Sequence, residues 1–163
     1  MLPRGNRAPI RGLLVMYRAA LAGAGKALQP EARPMPNGTT GLNGLRVLVV
    51  EDNFLLADLI ADTLRRFGCE VVGPAGDVAM AVKLARESEL DGAVLDLNLF
   101  GEFCFPVAEA LAERAVPYLF LTGYDTKHVI PPEFRSIRRL SKPVDPKSLS
   151  AAAEQCFRRQ PAH

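Results

Sequence analysis

The chain has 163 residues, 48% hydrophobic and 23% charged, a balance that suits one globular domain with a well-buried core and excludes a largely disordered or fibrous chain. Its net charge of +2 hides a split: residues 1–40 carry Arg4, Arg7, Arg11, Arg18, Lys26 and Arg33 against Glu31, net +5, and the other 123 residues are net −3, which argues against a nucleic-acid-binding body. Cys69, Cys104 and Cys156 are scattered without metal-type spacing and fit a reducing cytoplasm, and the longest apolar candidate, 12–28, is broken by Arg18 and Lys26, so no membrane span is expected.

Residues 1–44 are rich in Arg, Ala, Gly and Pro, lack a sustained period, and read as a flexible extension rather than a signal or transit peptide. Met35, before Pro36-Asn37-Gly38, offers an alternative first residue. The expected domain covers 45–159, with 160–163 as a tail.

From Leu45 the text changes. Leu45-Arg-Val-Leu-Val-Val50 is a β-branched apolar run suited to a strand buried on both faces, and it stops at Glu51-Asp52-Asn53. Asn53 can cap a helix in which Leu56, Leu59, Ile60, Leu64 and Phe67 recur at helical spacing, with Gly68 placed to end it. The unit then repeats. Cys69 to Gly73 is a short strand, Pro74 to Gly76 a turn, and Asp77 caps a helix with Val78, Ala81, Val82 and Ala85 on one side. Ala93 to Leu97 is a third strand, Asn98 to Glu102 a loop, and Phe105-Pro106 opens a third helix with Val107, Ala110 and Leu111 inward. Pro117 to Leu121 and Ser136 to Leu140 are the fourth and fifth strands. Between them, Tyr124 to Arg135 has few apolar positions and contains Pro131-Pro132, so a fourth helix there is expected to be short, displaced or absent. The last helix starts at Asp145-Pro146, with Leu149, Ala152, Ala153, Cys156 and Phe157 along one face, and ends at Arg158-Arg159, leaving no room for a second domain.

Five strands alternating with helices predict an α/β fold: a parallel sheet with helices on both faces and a site beyond the carboxyl ends of its strands. Strand one delivers Glu51 and Asp52 to that edge, strand three Asp96, strand four Thr122 and strand five Lys142. Converging carboxylates raise one another's pKa unless a cation offsets them, and all-oxygen ligation suits Mg²⁺. Lys142 and Thr122 then offer a charge and a hydroxyl to phosphoryl oxygens, with Asp96 as the attacking carboxylate. Taken singly, each of these residues reads as a turn residue or helix cap. Their conjunction carries the inference.

The motifs Val-Leu-Val-Val-Glu51-Asp52-Asn, Leu-Asp96-Leu-Asn-Leu, Leu-Thr122-Gly and Ser-Lys142-Pro143, in this order over 45–157, resemble the receiver domain of two-component response regulators, a flavodoxin-like fold. The resemblance implies Asp96 as phosphoacceptor, Mg²⁺ held by Glu51, Asp52, Asp96 and the backbone carbonyl of Asn98, and phosphoryl contacts from Thr122 and Lys142. It implies a cis Lys142-Pro143 bond, self-assisted phosphorylation and dephosphorylation rather than turnover of a separate substrate, and a histidine kinase or phosphotransfer protein as partner. The product is expected to be a cytoplasmic monomer or weak dimer, with a non-phosphorylated pseudo-receiver and a phosphate sink as rivals. Phe120-Leu121-Thr122-Gly123-Tyr124 is similar to the single-domain "FAT GUY" receivers, whose partners tend to be kinases of the HWE and related families. Arg139 stands where most receivers carry an aromatic switch residue. Tyr124 is a candidate substitute, and Arg139 reads either as a partner for an acid or as a solvated side chain.

Overall fold

The computed structural model describes residues 41–123 and 129–157; the expectations for residues 1–40, for Tyr124 and for the 160–163 tail fall outside them. In chain order the elements are β1 (Arg46–Val50), α1 (Phe54–Arg66), β2 (Glu70–Ala75), α2 (Val78–Glu87), β3 (Gly92–Asp96), β4 (Asn98–Leu99), β5 (Glu102–Phe103), α3 (Phe105–Glu113), β6 (Tyr118–Thr122), β7 (Arg139–Ser141) and α4 (Pro146–Phe157). Five of the strands form one parallel sheet in the order β2-β1-β3-β6-β7. Apolar periodicity puts α1 and α4 together on one face and α2 and α3 together on the other. The central strands β3 and β6 are buried at every position, as continuous apolar runs require when both faces are covered.

The expected caps are in place. Asn53 Oδ1 accepts from the Leu56 N–H at 3.1 Å, Asp77 Oδ1 from Met80 at 2.8 Å, and Asp145 Oδ1 from Lys147 and Ser148 at 3.0 Å each. Gly68 ends α1 at φ +91°, and a Cβ there would lie 2.5 Å from Asn43 Oδ1, so both the conformation and the contact call for glycine. Gly92 packs closely under α4: an added Cβ would meet the buried Phe157 ring at 2.5 Å. Gly92→Ala is therefore expected to cost about 1–3 kcal/mol by overpacking, seen as a lower denaturant midpoint with an unchanged slope.

Several boundaries differ from the sequence reading, each for a physical reason. Packing against the sheet's core begins before residue 45: Leu42 is fully buried, and the Gly44 N–H donates to Gly68 O at 2.8 Å. β2 continues through Pro74 to Ala75 across an irregularity in its pairing with β1. The expected loop 98–102 is a hairpin, β4 against β5. The fifth strand begins at Arg139 rather than Ser136, because Arg135 and Ile137 still donate backward to Pro132 and Phe134 and so keep the chain in a turn. Where a fourth helix was in question, the described part of the segment holds a short 3₁₀ turn at Pro132–Phe134. It is less polar in role than its composition suggests. Ile130 and Phe134 are both buried, and Phe134 stacks on Phe105 and meets Phe120 edge-on.

Candidate functional site

The carboxyl edge of the sheet gathers the predicted residues through backbone as much as side-chain bonds. Glu51 follows β1, and its N–H donates to Ala75 O at 3.0 Å, so the added length of β2 helps to fix it. Asn53, besides capping α1, donates its N–H to Glu51 Oε1 at 3.2 Å. Asp96 is the last residue of β3, and its Oδ1 accepts from the Asn98 N–H at 3.3 Å. Lys142 leaves β7 through a cis bond to Pro143, and its N–H donates to Thr122 O at 2.7 Å. The Lys142 ammonium donates to Glu51 Oε2 and to Asp96 Oδ2, both at 2.7 Å. Thr122, buried at the end of β6, thus reaches the same edge through its backbone tie to Lys142 and its register with Ser141.

Electrostatics decide what this cluster needs. Glu51 and Asp96 are 3% and 7% exposed, and one oxygen from each, with one from Asp52, lie within 4.8 Å of one another. Burial pushes the Glu51 carboxyl up to about 7, with Asp96 adding to the rise and Lys142 opposing it. Burial likewise raises Asp96 against the pull of Lys142. For Lys142, burial works against its charge, but Asp96 and Glu51 outweigh it and hold the ammonium above its ordinary value. One ammonium, bonded to two of three clustered carboxylates, leaves an excess of negative charge among largely buried groups. A hard divalent cation taking oxygen donors fits that deficit.

A pH dependence follows for the metal-free protein. The Glu51 carboxyl titrates near 7 when folded and near 4.5 when unfolded, so between these values the folded chain binds the extra proton and stability falls as pH rises. A loss on the order of 3 kcal/mol between pH 5 and 8 is expected by denaturation in EDTA, and Glu51→Gln is expected to flatten it.

Sequence reasoning missed one part of the site. Phe100 donates its N–H to Asp52 Oδ2 at 2.8 Å, and Gly101 donates to Asn98 Oδ1 at 2.9 Å. Phe100 and Gly101 form the two-residue loop of the β4–β5 hairpin with φ +50° and +94°. Two positive φ values in a tight hairpin normally select Asn-Gly. Phe at the first position costs about 1 kcal/mol, and its ring, 80% exposed, gains little packing in return. Gly101, three residues after Asn98, is the signal that could have revealed the turn. Arg139 is exposed at the start of β7, and among the described residues no ion pair joins it to an acid, which favours the solvated reading.

A doubly wound parallel sheet in the order β2-β1-β3-β6-β7, with an acidic cluster and a clamped lysine at the carboxyl ends of its strands, defines a flavodoxin-like fold. Residues 47–154 match the family model described as the response regulator receiver domain, and the chain belongs to that family. It is 33% identical over 86 residues to the transcriptional regulatory protein PdtaR of Mycobacterium tuberculosis, covering 52% of this chain and 42% of PdtaR. With the phyllosphere-induced regulator PhyR of Methylorubrum extorquens it shares 29% identity over 126 residues, 72% of this chain and 47% of PhyR. The matched region spans less than half the length of these curated relatives. The solution structure of SdrG from Sphingomonas melonis Fr1 aligns with a TM-score of 0.59 at 35% identity, over 67% of this chain and 92% of SdrG. The receiver domain of the histidine kinase PA1611 from Pseudomonas aeruginosa, whose structure has a magnesium ion in its active-site cleft, shares the fold at 22% identity and a TM-score of 0.59, over 70% of this chain and 98% of that one.

Proposed function

We propose that this receiver accepts a phosphoryl group on Asp96 from a histidine kinase or phosphotransfer protein and signals by protein contact. The observation that carries the reading is the Lys142 ammonium held 2.7 Å from both Asp96 Oδ2 and Glu51 Oε2. An Asp96 oxygen forms the new P–O bond while the donor's P–N bond breaks, its electron pair leaving with the imidazole nitrogen. Lys142 and the Thr122 hydroxyl serve the equatorial phosphoryl oxygens, and Glu51 keeps the ammonium in place. Glu51, Asp52, Asp96 and the Asn98 carbonyl hold Mg²⁺, which when bound supplies positive charge toward the transferring group.

The finer placements belong to the same reading: a cytoplasmic receiver of the "FAT GUY" kind, binding neither nucleic acid nor membrane, monomeric or weakly dimeric, with a kinase of the HWE or a related family as donor. Among the described residues no helix is long and apolar enough to cross a membrane. Retention of Glu51, Asp52, Asp96, Thr122 and Lys142 weighs against a pseudo-receiver. Incubation with acetyl phosphate is expected to add one phosphoryl mass in Mg²⁺ and none in EDTA. No gain with any donor makes the chain a binding module instead.

A further inference from the structure

The members of the acidic cluster are not held alike. Glu51 and Asp96 are buried and share the Lys142 ammonium, whereas Asp52 is half-exposed and receives the Phe100 N–H from the β4–β5 hairpin. That N–H comes from a residue whose φ of +50° lies in the left-handed region, a conformation an L-residue with an exposed ring does not choose by itself. The next amide, of Gly101, is tied back to Asn98 Oδ1 at 2.9 Å and closes the turn.

We propose that Asn98 acts through its side chain as a positioning residue for the cation site: by closing the Asn98–Gly101 turn it aims the Phe100 N–H at Asp52 and keeps that carboxylate in reach of Glu51 and Asp96. This rests on the reading of the cluster as a Mg²⁺ site. It assigns Asn98 a second duty beside its carbonyl, and it gives the conformation of Phe100 a purpose. Donors that orient a ligand carboxylate commonly weigh tenfold or more in metal affinity.

Calorimetric titration of Mg²⁺ into the full chain tests it. Asn98→Ala is expected to weaken binding by about tenfold or more, and to speed hydrogen exchange at the Phe100 amide. Gly101→Ala, strained at φ +94° although nothing lies within 4 Å of the new methyl, is expected to act in the same direction. Asn98→Asp keeps the acceptor and is expected to bind at least as tightly as wild type. Wild-type affinity in both Asn98→Ala and Gly101→Ala overturns the positioning role while leaving the cation site standing. Absence of Mg²⁺ uptake by wild type overturns both.

Discussion

Asp96→Asn is expected to take up no phosphoryl group from any donor while retaining the fold. The amide is nearly isosteric with the carboxylate but has a single oxygen, so it keeps the 2.7 Å bond from Lys142 and gives up the longer, 3.3 Å one from the Asn98 N–H. It lacks the anionic oxygen that must attack phosphorus. Removing one charge from a buried cluster held by a single ammonium also relieves repulsion. The metal-free variant is therefore expected to be at least as stable as wild type at pH 8, by chemical denaturation beside intact-mass measurement. Loss of phosphorylation together with loss of fold would mean that Asp96 is structural.

Lys142→Met is expected to be the most damaging single change at the site. Its ammonium is the shared partner of Glu51 and Asp96, and removing it leaves two buried carboxylates facing each other. Breaking one side of a buried pair costs about 3–5 kcal/mol. The penalty is expected to be small near pH 5 and to grow as pH rises through 7 and beyond. Without Lys142 both carboxyls rise further, stay protonated when folded, and lose stability only as pH climbs through their raised values. Phosphorylation is expected to slow by about a hundredfold or more, the usual weight of one charge-stabilising donor. Equilibrium unfolding at pH 5 and 8, with phosphorylation rates at saturating donor, separates the two effects.

Much of this was legible because each central strand of a parallel sheet is an apolar run that ends abruptly. Val50, Asp96 and Thr122 mark three such ends, and Glu51, Asp52, Asp96 and Thr122 lie at or just after them, whereas Lys142 follows the short edge strand β7. Helix caps were equally plain, since Asn53, Asp77 and Asp145 precede periodic apolar stretches. What stayed hidden depends on backbone direction. The contact between the Phe100 N–H and Asp52 is made by a main-chain atom, in a turn whose first residue goes against ordinary turn preference. Ile130 and Phe134 looked too sparse to bury, yet Phe134 completes the stack Phe103–Phe105–Phe134. That stack reaches Phe120 on β6, whereas Arg139, at the position where most receivers carry an aromatic switch residue, is exposed.

The chemistry assigned to Asp96 is tested most directly by locating the phosphoryl group. Acyl phosphate formed in Mg²⁺ and acetyl phosphate is reduced with borohydride, and the peptides are sequenced by mass spectrometry. Homoserine at position 96, and at neither Asp52 nor Glu51, is the expected result. Label at another residue, or an equal yield in Asp96→Asn, would contradict it.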